Sequence, residues 1–340
     1  MKIGIVGLGF MGSTHVKAIK KMAASGPYPV ELTAVSDARP ELLSGDLSSI
    51  QGNLGGPGEK YDFSTIGQYA DWRDMLKDPN VDAVDFCTPT FLHVENAVEA
   101  LQAGKHVLVE KPMAISAKDT ETMLAAAKAS GKTLMVAQVL RFVPAYRQLR
   151  DTILSGAAGK PIQATFRRRC AAPFWSKWMC DPKLSGGAII DLLIHDIDFA
   201  IHTFGEPESV SAVGVEDLPR GLDVITAKLA YANNLNVIIQ GGWYHPKAFP
   251  FSMDYNVVCE EATFEFSSAG TEPTQYLVDG SQKPLPLPEQ DGYEAELAYF
   301  VECISTGKSP DFCPPEESAA GVRLAEKLKE ARQRNGERVS

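Results

Sequence analysis

The first twelve residues constrain this chain more than any other stretch. Lys2 to Val6 is a short apolar run of the kind buried on both faces of a sheet, and Gly7, Gly9 and Gly12 follow in the spacing G-x-G-x-x-G before a helical pattern begins at Phe10. Gly7 permits the tight turn, Gly9 lets a diphosphate approach the backbone, and Gly12 lets the helix pack close on the strand. The helix start adds unpaired N–H groups and the positive end of its dipole. Glycine-spaced turns occur in many folds, so the argument rests on context: this one lies between a strand and a helix, as the mechanism requires.

A second strand-like run, Val30 to Ser36, ends in Asp37, where an acid is placed to take the hydroxyls of an adenosine ribose. Arg39, two residues on, is placed to accept a 2′-phosphate. The acid makes NAD the expected cofactor, and Arg39 leaves NADP open.

Strand and helix signals then alternate. Helices are expected at 10–24, 69–77, 95–103 and 116–130, and strands at 81–87, 106–110 and 133–137, with the Gly/Ser/Pro-rich stretch 44–60 read as a loop. This alternation implies a doubly wound parallel sheet with helices on both faces. Ligands of such sheets sit beyond the carboxyl ends of the strands, which here are Gly7, Asp37, Thr88-Pro89 and Glu110-Lys111-Pro112.

After Phe142-Val143-Pro144 the pattern changes. A helix over 145–155, a strand over 162–169 and an apolar helix over 188–204 precede strand after strand from Val210 to about Leu287, with turns at Asn233-Asn234 and Asp279-Gly280, and two closing helices. The expectation is a Rossmann-type domain over 1–140 and an α+β domain over 141–340 built on a large, mostly antiparallel open sheet, one face of which would be covered by self-association into a homodimer or homotetramer.

A net charge of −10 argues against nucleic acid or an anionic membrane as the main partner. Arg167-Arg168-Arg169 is the basic cluster of note, and on a strand its members alternate between faces. No run approaches the length of a membrane span. The six cysteines are dispersed without a C-x-x-C pair, which reads as reduced thiols in a cytoplasmic protein with no metal site.

The most informative later segment is Gly186-Gly187-Ala188-Ile189-Ile190-Asp191-Leu192-Leu193-Ile194-His195-Asp196-Ile197-Asp198. Asp191, His195 and Asp198 stand at i, i+4 and i+7, so on one helix they share a face. A carboxylate one turn from an imidazole raises its basicity, which serves a general base and also describes a structural ion pair. Lys111, at a strand's carboxyl end, is placed to polarise a substrate oxygen. Trp175 and Trp178, with Phe174 and Lys177, are candidate pocket walls, and Arg141 is a candidate partner for an acidic substrate group.

Together these residues resemble the Gfo/Idh/MocA family of nicotinamide-dependent oxidoreductases over nearly the whole length. The marks are the glycine turn, Val81-Asp82-Ala83-Val84 leading to Thr88-Pro89 and His93, the run Ala103 to Pro112 with Glu110-Lys111-Pro112, then Arg141-Phe142-x-Pro144 and the Gly186-Gly187 helix. Thr90 stands where many members have Asn. The resemblance implies that Lys111, Asp191 and His195 are catalytic, and that Phe10, Met11, Asp37, Thr88, Pro89, His93 and Glu110 line the cofactor. It implies hydride transfer between nicotinamide C4 and a hydroxyl-bearing carbon of a sugar, polyol or related compound. Relatives that retain the cofactor while epimerising or hydrolysing sugars, and relatives that only sense a ligand, define the alternatives.

Overall fold

The computed structural model describes residues 1–50, 58–174 and 176–340. The chain divides into two compact units, the first comprising 1–114, 118–139 and 291–318, the second 115–117, 140–290 and 319–340.

In the first unit, β1 (Lys2–Val6) leads through the glycine turn into α1 (Phe10–Ser25) and β2 (Glu31–Ser36). Gly12, His15, Val16, Ile19 and Met22 are the buried side of α1, a three-and-four spacing that lays one face on the sheet. Next come β3 (Gly67–Tyr69), α2 (Trp72–Met75), β4 (Ala83–Phe86), α3 (His93–Gln102), β5 (His106–Glu110), α4 (Ala117–Ser130) and β6 (Leu134–Ala137). The strands run parallel in the order β3-β2-β1-β4-β5-β6. The chain therefore steps outward from β1 through β2 to β3 and then crosses to β1's other side, which makes the β1/β4 boundary the switch point where ligands bind.

The helix expected over 69–77 is shorter than its expected range and spans Trp72–Met75. Gly67–Tyr69 adds an edge strand, and the helix starts only after Asp71, whose carboxylate accepts the Arg73 N–H. Of the 44–60 stretch, the described part ends a short 3₁₀ turn at Ser44 and closes with an Asp46–Lys60 bridge and ion pair, while 51–57 lie outside the described residues.

The second unit contains α5 (Pro144–Leu154), β7 (Pro161–Ala171), α6 (Pro182–Ser185), α7 (Ala188–Asp191), α8 (Ile194–Phe204), and then β8 (Ser209–Asp217), β9 (Leu222–Ala230), β10 (Asn236–His245), β11 (Ser252–Cys259), β12 (Ala262–Ser267), β13 (Thr271–Leu277) and β14 (Gln282–Pro284). They form an eight-stranded sheet in the order β14-β13-β12-β11-β7-β10-β9-β8, antiparallel except where β7 meets β10. Inward residues alternate along β7 as Ala164, Phe166, Arg168 and Cys170. Phe166 packs edge-on to Phe199 of α8, and Tyr146 of α5 packs edge-on to Phe199 and Tyr255.

Two helices close the chain, α9 (Gly292–Thr306) and α10 (Pro315–Gln333). Helix α9 is capped by Asp291, and it belongs to the first unit, where it lies on α1 with a Lys21–Glu294 ion pair. A contiguous 141–340 domain therefore does not describe this grouping, because residues 291–318 return to the parallel sheet's unit. Among the described residues no helix is long and apolar enough to cross a membrane. All six cysteines are free thiols.

Candidate active site

The glycine turn has the geometry its spacing demands. Gly7 sits at φ +90°, and a Cβ there would lie 2.5 Å from the Cys87 carbonyl oxygen. A Cβ on Gly12 would lie 1.8 Å from the Gly7 oxygen, so only hydrogen lets α1 approach β1 this closely. Gly9 differs: a Cβ there would meet only Arg39 Nη2, at 4.0 Å, leaving its outer side open. Gly9 is the N-cap of α1, and among the described residues no side chain caps that helix. Its first-turn amides and the positive end of its dipole thus lie beside the open side of Gly9, next to the half-buried Phe10 and Met11.

Asp37, at the end of β2, does more than wait for a ribose. Its carboxylate accepts the Leu8 N–H at 2.6 Å, which ties it to the glycine turn, and the Arg39 N–H at 2.8 Å. The Arg39 guanidinium also forks onto it, Nε to Oδ1 at 3.0 Å and Nη2 to Oδ2 at 3.2 Å. Arg39 is about half exposed, so its charge is held at the crevice edge and neutralised by Asp37. These residues fit the adenosine end of a dinucleotide.

The ends of β4 and β5 supply the other wall. Thr88 Oγ1 accepts the Asn96 amide at 2.8 Å, and Pro89 follows. His93, expected to line the cofactor, is instead turned inward and buried. Its Nε2 lies 2.9 Å from the Thr88 carbonyl and its Nδ1 2.8 Å from the Pro112 carbonyl, so it sits between the two loops and, as a neutral ring, donates to one of them. Burial pushes its pKa down, against the pull of those carbonyls. Glu110 Oε2 accepts the Lys111 N–H at 3.0 Å, fixing the backbone of the half-buried lysine just before a cis Lys111–Pro112 bond.

Beneath these strand ends lies a group that the sequence did not disclose. His15 of α1 is fully buried, with Nδ1 2.7 Å from Asp85 Oδ2 and Nε2 3.4 Å from Glu110 Oε1. The Cys87 thiol lies 3.4 Å from Nδ1. The available signal was Asp85 itself, a carboxylate in an otherwise apolar buried strand. Gln138, just after β6, was also missed: its amide is buried with no hydrogen-bond partner among the described residues.

In the second unit the single expected helix over 188–204 is two. The Leu192 and Leu193 amides both reach the Ala188 carbonyl, at 2.9 and 2.8 Å, the second spanning five residues, and α8 restarts from the Leu193 carbonyl. Asp191 ends α7 and His195 lies in the first turn of α8, so the two are separated by this unwound step rather than stacked on one helix face. The turn before Asp191 is pinned from several sides. Gly186 and Gly187 both have left-handed φ, the Ala188 N–H donates to Asp223 at 2.6 Å, and Lys329 donates to the Gly186 carbonyl at 3.0 Å. Asp223 is paired in turn with Arg332 of α10. Asp191 is buried and His195 half-buried.

The third member of the expected stripe departs from it. Asp198 is fully buried and is held by Arg141, whose Nε and Nη2 each donate to it at 2.7 Å while Nη1 lies 3.1 Å from His202 Nδ1. Arg141 is itself 0% exposed, so it is a core ion-pair partner and not a receptor for an acidic substrate group. Arg168 is likewise buried on Asp196, whereas Arg167 and Arg169 share Asp254 on the sheet's opposite face. Trp178 is half-buried in the loop before α6, and Trp175 lies outside the described residues.

The family model described as an oxidoreductase family with an NAD-binding Rossmann fold matches residues 1–138, and the GFO/IDH/MocA C-terminal domain matches residues 146–265. The chain is 32% identical over 328 residues to the myo-inositol 2-dehydrogenase of Thermotoga maritima, covering 91% of this chain and 90% of that one. It is 28% identical to the trans-1,2-dihydrobenzene-1,2-diol dehydrogenase of Bos taurus, over 97% of this chain and 96% of that one. The solved structure of a levoglucosan dehydrogenase in complex with NADH and levoglucosan matches with a TM-score of 0.84 over 100% of this chain and 98% of that one, a likeness of fold at 21% identity. With its open glycine turn, uncapped α1 and Asp37 in place, the chain belongs to the GFO/IDH/MocA family of NAD-binding oxidoreductases.

Proposed function

We propose that the protein moves a hydride between NAD and a hydroxyl-bearing ring carbon of a polyol, sugar or related cyclic diol. The observation that carries this reading is the place of Lys111. It follows β5, which with β1 and β4 forms three adjacent strands whose carboxyl ends bear the lysine, the glycine turn and Thr88-Pro89. The substrate class is supported by the relatives, named for myo-inositol and for a dihydrobenzenediol, both ring compounds with neighbouring hydroxyls.

When bound, the dinucleotide supplies the hydride acceptor or donor at nicotinamide C4. The amides of the glycine turn and of the first turn of α1 would hold its diphosphate, and Asp37 would accept ribose hydroxyls in place of the half-exposed Arg39 fork, which favours NAD over NADP. Lys111 donates to the substrate oxygen and stabilises the negative charge that develops there on oxidation. His195 takes the hydroxyl proton at Nε2, and Asp191 orients the imidazole or a neighbouring substrate hydroxyl.

The test is initial-rate NADH formation over a panel of cyclic polyols and sugars with NAD and NADP, repeated on His195→Asn. The expected result is net reduction of NAD by a polyol, lowered about a hundredfold to ten-thousandfold in the variant with NADH affinity unchanged. Cofactor that stays bound and cycles without net NADH would replace this reading with retained-cofactor chemistry, and full turnover in His195→Asn would remove the histidine's role.

Self-association across the eight-stranded sheet is part of the same proposal. Val213 and Val215 on β8 and Tyr244 on β10 are exposed, and the cross-strand pairs Val215↔Val224 and Gly242↔Val224 put an apolar row on the sheet's outer face. Light scattering at micromolar concentration is expected to give a dimer or tetramer, and a monomer would contradict it.

A further inference from the structure

The buried group under the strand ends has no part in the reaction as set out above, yet its partners lead directly to Lys111. His15 projects from the buried face of α1, three residues after Gly12, into a space enclosed by β4 and β5. Asp85 and Cys87 face it from β4 and the residue after it, Glu110 faces it from the end of β5, and the Tyr293 ring of α9 lies 6.2 Å away, centroid to centroid. Glu110 is the shared member: one oxygen lies against His15 Nε2 and the other accepts the Lys111 N–H. Two carboxylates thus flank one imidazole on opposite ring nitrogens, Asp85 fully enclosed and Glu110 nearly so. An isolated buried carboxylate is very unfavourable, and a cation between the two relieves both.

We propose that His15 is a positioning residue, an imidazolium clamped between Asp85 and Glu110 that locks the end of β5 to the glycine-turn helix and so fixes the backbone from which Lys111 reaches the substrate. The inference rests on the reading of Lys111 as the substrate-facing lysine. Burial alone would strip the proton from His15, but the charge and hydrogen bond of Asp85, with a smaller contribution from Cys87, hold its pKa well above the ordinary histidine value. The donor atoms of His15, Asp85 and Cys87 all lie within 4.8 Å of one another, and the 2.7 Å separation of Nδ1 and Oδ2 is that of a hydrogen bond with a proton in it. Nε2, 3.4 Å from Glu110 Oε1, makes no hydrogen bond among the described residues, so it is the charge of an imidazolium, and not a second donated proton, that ties the ring to Glu110. The clamp therefore predicts a protonation state as well as a geometry.

Selective ¹⁵N-histidine labelling of the whole wild-type protein tests that state directly. The chain has six histidines, and the His15 signal is assigned by its loss in His15→Gln or by replacing the other five singly. The expected result is both ring nitrogens of His15 protonated at about pH 7.5, roughly a unit above the ordinary histidine pKa, where an unperturbed ring has mostly lost its proton. A neutral tautomer at that pH, or a stoichiometric metal ion with a His15 nitrogen as ligand, would overturn the proposal.

Kinetics separate positioning from mere packing. His15→Gln, which keeps hydrogen bonding and removes the charge, is expected to lower kcat about tenfold to a hundredfold with KM and NADH affinity changed less than about threefold. Adding Asp85→Asn, which removes one of the two uncompensated carboxylates, is expected to restore part of the lost thermal stability of His15→Gln. Lys111→Ala serves as the control on the underlying reading. If Lys111→Ala turns over normally, the role of the lysine fails whatever His15 does. If Lys111→Ala is inactive while His15→Gln keeps full kcat, the clamp alone fails.

Discussion

The molecule buries two charged groupings of similar make-up and uses them differently. In the first unit His15 lies between Asp85 and Glu110 directly beneath the strand ends that bear Lys111 and Thr88. In the second, Arg141 forks onto Asp198 beside His202, tying the turn before α5 to the middle of α8. Both sets of ionised groups are enclosed, and each is tolerated only because its partner is present. The difference lies in what the partner touches next. Glu110 passes its constraint to the backbone of a crevice residue, whereas Asp198 is a terminus whose loss would be felt as stability. Buried charge at the carboxyl end of a parallel sheet positions a site, and buried charge between helices holds packing.

Arg141→Ala should break that contrast most forcefully. It leaves Asp198 buried without its fork, so a loss of about 3–5 kcal/mol in chemical denaturation is expected. Turnover per folded molecule and substrate KM should be little changed. A raised KM for acidic substrates with normal stability would return Arg141 to the pocket.

Asp37→Ala comes next. It removes the acceptor of the Leu8 N–H and frees the Arg39 guanidinium, so NAD affinity should weaken by about 1–3 kcal/mol while NADP affinity falls less or rises. Calorimetric titration with both dinucleotides measures it.

The pH dependence of stability is a smaller effect, with a definite sign. His15 has a folded pKa above its unfolded value, so its contribution is fully present below about pH 6.5 and drains as pH rises toward the folded value. The stability difference between wild type and His15→Gln should therefore shrink as pH increases from about 6 upward, by at most about 1.4 kcal/mol per pH unit. A difference that grows with pH would mean the ring is buried neutral. Smallest of all is Lys17→Ala, which deletes an exposed pair with Glu59 and should move stability by no more than about 1 kcal/mol.

The same contrast explains what could be read in the sequence. Strand β5 was legible to the residue because Gly104 and Pro112 bracket one continuous apolar run, and the glycine turn was legible because each of its glycines meets a separate steric demand. The break between α7 and α8 was not, since Ile189 to Ile194 is apolar apart from Asp191 and carries too little period to reveal an extra residue in the turn. Arg141 and Asp198 lie 57 positions apart, and His15 and Asp85 lie 70 apart. Each alone reads as a polar residue near a ligand. Only the fold shows that one such pair is enclosed packing and the other underlies the crevice, and the short helix expected over 69–77 starts only at Trp72 because Asp71 offers the cap.

The most direct test is a crystal structure of the complex with NADH and the polyol that turns over fastest. The account predicts Lys111 Nζ and His195 Nε2 both within about 3.2 Å of one substrate oxygen, on the carbon facing nicotinamide C4. A substrate oxygen that meets only one of them, or neither, would contradict it.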